Sequence, residues 1–167
     1  MKVVFKPNIF TDTKNLKSIK IKSLELKTRI KFILSLLCDF STELSIKFCD
    51  TQEMLETNSA FRKKSYATDV LSFPSPTAES EKDVVYLGDI LICVPVCEAQ
   101  AKKAKHSLCA ELEKMIIHGI VHLKGLDHER NPSAYRVMSC LEESLQKELV
   151  KVCKKPTWCL NGVTNVR

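Results

Sequence analysis

The segment VVYLGDILICV, residues 84–94, is the most strand-like stretch of the sequence, and the fold class follows from it and its neighbours. Gly88 within it marks the expected position of a β-bulge. Alternating apolar and polar residues predict a second strand at Leu44–Phe48, and Val70–Phe73 reads as a third strand that a proline ends. A short opening strand is expected at Val3–Lys6.

Five helices are predicted around these strands. Apolar residues at steps of three and four begin the first at Leu24, and the capping pair Asp50 and Glu53 opens the second, which runs to about Arg62. Pro95 starts the third, which runs to about Lys103. The last two helices are one capped by Ser107 and ended by Gly125, and one after Pro132 with an apolar face of Met138, Leu141, Leu145, Leu149 and Val152.

Helices and strands are mixed without regular alternation, which predicts an α+β fold with one small mixed β-sheet packed by about five helices. The 167 residues, with 44% hydrophobic and 28% charged side chains, are typical of one soluble domain spanning 1–167. No secretory signal or membrane-spanning run is predicted, and we expect a cytoplasmic protein. The eight cysteines contain no C-x-x-C pair and are expected to be reduced core residues.

Positive charge is concentrated at the two ends of the chain. Residues 1–31 carry nine Lys or Arg against two acids, and residues 151–167 carry four basic residues and no acid. A polar basic stretch at about 8–23 and a basic tail at about 154–167 are therefore distinguished from the mildly acidic body. Basic ends can contact phosphates, but solvated Lys-rich tails are common, so charge alone does not establish nucleic-acid binding.

The run HGIVHLKGLDH, residues 118–128, carries three of the four histidines. His118 and His122 are one helical turn apart on one face, and Gly125 lets the chain turn so that His128 can return as a third ligand. Three nitrogen ligands with an open fourth position describe one catalytic zinc ion per chain, at the end of a helix and the following turn. Such an ion lowers the pKa of bound water to about 7.

Gly119 stands where zinc proteases with this histidine spacing have their catalytic glutamate. Peptide hydrolysis by that route is therefore not expected. A mid-helix glycine costs about 1 kcal/mol relative to alanine, and close approach of another backbone or of a substrate would explain it. Asp127 and Glu129 flank the third histidine, and either is a candidate to orient a ligand imidazole, with Asp127 preferred, or to act as a base; both can equally be solvated surface acids.

These residues resemble the YbeY family of metal-dependent endoribonucleases that take part in ribosomal RNA maturation. The similarity extends in order along the chain from Asn58 to His128. The matching motifs are Asn58, Phe61 and Arg62 of N-x-x-[YF]-R, TDVLSFP at Thr68–Pro74, LGDI at Leu87–Ile90, Glu98-Ala99, and His106-Ser107.

The resemblance implies that His118, His122 and His128 bind zinc and that Arg62 acts near it. Arg62 and His118 are the expected catalytic residues, because a guanidinium can hold two phosphate oxygens and offset charge in the transition state. His106 either lines the cleft or packs. Lys105 stands where the family usually has glycine, and it is a candidate phosphate contact.

Other residues leave alternatives open. Asp69 and Ser72 either serve the site or cap their strand. Leu126 also departs from the family pattern, where tyrosine is usual, at a position expected at the rim of the cleft.

The expected function is a zinc-dependent endoribonuclease that cleaves single-stranded RNA in small-subunit ribosomal RNA maturation and ribosome quality control. Its partners would be ribosomal RNA and the ribosome or its small subunit, with no membrane. Two alternatives remain: a zinc hydrolase of a peptide or small molecule, and a ribosome-associated binding protein with structural zinc.

Overall fold

The computed structural model describes residues 8–11, 19–38, 41–76, 84–126 and 132–161. The predicted strand at Val3–Lys6 lies outside these residues. The described elements are, in chain order, β1 Asn8–Thr11, β2 Ile19–Ile21, α1 Ser23–Leu37, β3 Ser41–Cys49, α2 Thr51–Arg62, β4 Val70–Pro74, β5 Val84–Cys93, α3 Val94–Ala104, α4 Leu108–Leu123, α5 Pro132–Cys153 and β6 Cys159–Asn161.

The main sheet has the strand order β1-β3-β5-β4. Strands β1, β3 and β5 are parallel, and β4 pairs antiparallel with β5 at one edge. The predicted α+β class with a small mixed sheet is confirmed. The predicted bulge is also present: Glu43 and Ser45 of β3 pair with Tyr86 and Asp89 of β5, so β5 carries one extra residue. Gly88 lies at this bulge with φ +134°, a backbone conformation that residues other than glycine rarely adopt.

A second sheet, which the sequence analysis did not predict, joins the two basic ends of the chain. Strand β2 pairs antiparallel with β6, which brings residues 19–21 of the basic stretch against residues 159–161 of the basic tail. Strand β1, also in the basic stretch, pairs with β3 in the main sheet. These strands are only three or four residues long, so no periodic pattern is long enough to reveal them.

The helix boundaries follow the predicted capping residues. Asp50 accepts a hydrogen bond from the backbone N–H of Glu53 at 2.9 Å, and Ser107 Oγ accepts one from the N–H of Ala110 at 3.2 Å. Gly125, with φ +84°, follows α4 and donates its N–H to the carbonyl of His122. These contacts satisfy backbone groups that helix ends otherwise leave unpaired.

Helix α5 packs largely as predicted, except at its end. Met138, Leu145 and Leu149 are buried, and Leu141 is half-buried against the core. Val152, however, is 59% exposed, and Cys153 packs against the core instead. With 3.6 residues per turn, either position can follow Leu149 on the inner face.

A buried ion pair ties α1 to α4 beneath the C-terminal segment. Arg29, only 2% exposed, forms a two-pronged salt bridge with Glu113, in which Nη2 donates to Oε1 at 2.9 Å. Arg29 also donates to the carbonyls of Cys153 and Lys154 at 3.0 and 3.1 Å. Trp158, fully buried, lies beside Glu113. This network fixes the end of α5 against the core.

The prediction that the cysteines are core residues is confirmed except at Cys140, which is exposed on α5. All eight are free thiols, and six of them are buried. Among the described helices, we find none that combines the length and the apolar character needed to cross a bilayer.

Candidate functional site

His118 and His122 lie one turn apart on α4, and their ring nitrogens converge. The two Nε2 atoms are 3.1 Å apart, the ring centroids are 4.5 Å apart and the planes meet at 79°. Two nitrogens that each lie 2.0–2.1 Å from one tetrahedral zinc ion are about 3.3 Å apart. The spacing of the pair therefore fits a shared ion. The third predicted ligand, His128, lies outside the described residues, within which no group of three ligand side chains converges.

Glu142 of α5 contacts His118 on the side of the ring away from His122. Its Oε1 lies 2.7 Å from Nδ1 of His118. A carboxylate at this position favours the arrangement in which Nδ1 donates the hydrogen bond, and Nε2 is the ring nitrogen that faces His122. A carboxylate behind a ligand imidazole is common in protein metal sites, where it sets the tautomer and the ring orientation.

Sequence reasoning missed Glu142 because nothing in the local pattern links it to a histidine 24 residues earlier. The one sequence feature that could have indicated a role for Glu142 is its position next to Leu141 of the predicted apolar face of α5. Asp127, the acid predicted for this role, lies outside the described residues.

Gly119 is buried between the two histidines, against the main sheet. A Cβ built on it would lie 2.9 Å from both Cδ1 and Cγ2 of Ile90 on β5, closer than real Cβ atoms come to other side chains. The predicted close approach is thus real, but the neighbour is a side chain of the sheet rather than a backbone or a substrate. A glutamate at this position would have to displace Ile90.

A cleft of about 530 Å³ opens in front of the histidines. It is bounded by α4, by β4, by the end of α2 and by the loop that joins α2 to β4. Arg62, His118 and His122 all line it, so the structure brings these three predicted residues together. Arg62 is exposed at the last turn of α2 and has no salt-bridge partner within the described part of the chain.

The loop between α2 and β4 is held by Asn58. This residue is 1% exposed, and its Nδ2 donates to the carbonyl of Tyr66 at 2.7 Å. The backbone carbonyl of Asn58 accepts a hydrogen bond from the backbone N–H of Lys64 at 3.4 Å. Lys63, with φ +56°, ends the helix in the left-handed conformation. The buried side-chain amide of Asn58 thus orders the loop that forms one wall of the cleft.

Asp69 caps the start of β4, and both it and Ser72 also line the cleft, so the structural role does not replace a role in the site. Its carboxylate accepts hydrogen bonds from Gln100, from Thr68 and from the N–H of Val70, at 2.9, 3.0 and 2.8 Å. Burial opposes ionisation, but these hydrogen bonds outweigh it and lower the pKa of Asp69. Among the described residues, Ser72 Oγ makes a long contact, 3.5 Å, with the carbonyl of Gly119.

Residues 11–150 match a family model described as Endoribonuclease YbeY. The chain belongs to the YbeY family. An Endoribonuclease YbeY of Stutzerimonas stutzeri is 42% identical over 108 residues, which cover 65% of this chain and 67% of the relative. One of Aquifex aeolicus is 38% identical over 136 residues, which cover 81% and 89%.

A protein of Thermotoga maritima solved in solution shares the fold. The TM-score is 0.56 at 20% sequence identity, over 90% of this chain and 96% of that protein. The resemblance inferred from the sequence motifs is therefore confirmed at the level of family and fold.

The YbeY motif residues at the turn between α3 and α4 lie away from the cleft. His106 pairs with the carboxylate of Glu111 and lines a separate cavity of about 340 Å³. Lys105 has φ +57°, a left-handed conformation in which glycine is unstrained. This explains why the family usually has glycine at this position. Neither residue lines the cleft that holds Arg62 and the histidines. Leu126 packs against the core.

Proposed function

We propose that this chain is a zinc-dependent endoribonuclease that cleaves single-stranded RNA in small-subunit ribosomal RNA maturation and ribosome quality control in the cytoplasm. Its relatives in the YbeY family are named endoribonucleases, which supports hydrolysis of an RNA phosphodiester bond. One observation carries the proposal: the converging nitrogens of His118 and His122 share a cleft with the exposed guanidinium of Arg62.

His118, His122 and His128 would hold the zinc ion. When bound, zinc supplies Lewis acidity towards a phosphoryl oxygen and lowers the pKa of a water molecule. The 3.1 Å separation of the two Nε2 atoms fits this role. Glu142 would hold Nδ1 of His118 by a hydrogen bond, which leaves Nε2 as the nitrogen that would face the ion.

Arg62 would hold the scissile phosphate. A guanidinium donates two parallel N–H groups to two phosphate oxygens, and its charge offsets the negative charge that develops on them. Arg62 suits this task because its side chain is exposed at the cleft and is not committed to an acid among the described residues. Lys64 lines the same cleft and adds a second positive charge.

A protease-like mechanism is disfavoured by the packing of α4. The position that would carry a catalytic glutamate is Gly119, and Ile90 occupies the space that its side chain would need. The remaining alternative, a ribosome-binding protein with structural zinc, differs in what His122→Ala should do: a structural ion predicts unfolding, whereas a catalytic ion predicts a folded and inactive protein.

The decisive test is RNA cleavage by the purified chain with measured metal content. We expect about one zinc per chain, and cleavage of a labelled single-stranded RNA that chelation abolishes and added zinc restores. His118→Ala and Arg62→Ala should each reduce the rate at least about 100-fold while the melting temperature stays close to that of the wild type. Lys103→Ala, which changes an exposed cation on α3 outside the cleft, is the matched control. Unchanged cleavage by both variants, or chelator-sensitive peptidase activity instead, would contradict the proposal.

A further inference from the structure

Tyr66 is an exposed aromatic residue at the wall of the cleft. Its side chain is 55% exposed, and it lines the cleft together with Arg62 and the two histidines. An aromatic side chain can remove 150–250 Å² from water when it is buried, so a ring left open beside a polar cleft forgoes substantial stabilisation. Phe61, the neighbouring exposed aromatic residue, differs because its ring packs edge-on against the ring of Phe73, with the two centroids 5.1 Å apart.

The backbone that carries Tyr66 is fixed although its ring is exposed. The buried amide of Asn58 donates to the carbonyl of Tyr66, and the loop begins at a capped helix end. A ligand that contacts the ring would therefore not need to order the loop first. Such preorganisation lowers the entropic cost of binding.

Positive charge lies on one side of the ring. Lys64 Nζ lies 6.0 Å from the ring centroid, at the outer limit of cation–π attraction, and Arg62 lines the same cleft. A basic groove with an accessible aromatic ring is the combination that proteins use to bind single-stranded nucleic acid, in which bases stack on the ring and cations contact the phosphates.

We propose that Tyr66 determines the preference of this site for single strands, by stacking on an unpaired base next to the phosphate held by Arg62. This inference rests on the proposed function, because it assumes that the cleft binds RNA. In an RNA duplex the bases are paired and stacked on one another, so the ring would have no free base face to contact. The contact discriminates little between the four bases, since each has a face that can stack.

The first test is binding of a fluorescent single-stranded RNA to the zinc-loaded 167-residue chain at low temperature, with a gel to verify that the RNA remains intact. Tyr66→Ala should weaken binding roughly 5- to 100-fold, whereas Tyr66→Phe should bind like the wild type. Tyr135→Ala, which removes a 59% exposed tyrosine on α5 outside the cleft, is the matched control and should bind normally. Equal binding by Tyr66→Ala and wild type would overturn the proposal.

The second test locates the stacked base. Single abasic sites placed along the RNA should weaken wild-type binding most at one position, and that penalty should disappear in Tyr66→Ala. A penalty of the same size in both proteins would refute stacking on this ring.

The two proposals can fail separately. Tyr66-dependent binding without RNA cleavage by any zinc-loaded protein would reject the nuclease and retain the stacking contact. If Tyr66→Ala changes neither cleavage nor binding, the nuclease is retained and the stacking contact is rejected.

Discussion

Glu142 and His118 are joined by a 2.7 Å hydrogen bond across the contact between α5 and α4. This bond makes α5 part of the histidine site although α5 itself contributes neither of the two converging nitrogens. The packing of Leu145 and Leu149 against the core therefore also positions the carboxylate that orients His118.

Replacing Glu142 with glutamine is expected to weaken zinc binding by about 10- to 100-fold, because the amide is a poorer acceptor for the N–H of His118. Competition with a chromophoric chelator measures this affinity. Cleavage should recover when zinc is in excess, since Glu142 acts through His118. Glu143→Gln is the control, because Glu143 is exposed and contacts Lys147 on the same helix at 3.7 Å. Equal zinc affinity of the Glu142 and Glu143 variants would show that the bond does not serve a metal ligand.

Gly119→Ala is expected to destabilise the protein by about 1–3 kcal/mol, although alanine favours helix formation, because the new methyl group collides with Ile90. Urea unfolding measures the change. In a double-mutant cycle, Ile90→Ala should remove most of this cost, so that the two substitutions together are less harmful than their sum. Strict additivity would mean that the glycine is required for some other reason.

Arg29→Leu is expected to cost about 3–5 kcal/mol of unfolding free energy, because Glu113 would be left buried without its partner. The carbonyls of Cys153 and Lys154 would lose a donor as well. Lys151→Ala removes an exposed ion pair with Glu148 and should change stability by less than about 1 kcal/mol. A similar, small effect of both substitutions in chemical denaturation would contradict this account.

The contribution of Asp69 should depend on pH. Its pKa is lowered in the folded protein, so the stabilisation is fully present above the unfolded-state pKa of about 3.9 and is lost as the pH falls below it. We expect Asp69→Asn to cost about 1–3 kcal/mol at pH 7 and to differ progressively less from wild type as the pH falls below 4. Unfolding free energies of both proteins between pH 3 and 7 test this; a gap independent of pH would exclude an ionised Asp69 as its source.

The sequence predicted what local chemistry determines. Capping residues such as Asp50 and Ser107 identified helix ends, and the spacing of His118 and His122 identified a shared helix face. Glu142 escaped prediction because it meets His118 only through packing between two helices. The Arg29–Glu113 pair escaped for the same reason, since its partners are 84 residues apart and a buried charge has no local pattern.

Helix α4 has a consequence for local stability. Twelve of its 16 residues are buried, and both histidines project from it. Segments with dense apolar packing open least often, while short strand pairs at chain ends fray with little cost. The amides around His118 should therefore be among the last to exchange with deuterated water, and those of the β2–β6 pair among the first. The β2–β6 pair can then open many times over while the two imidazole nitrogens keep their spacing.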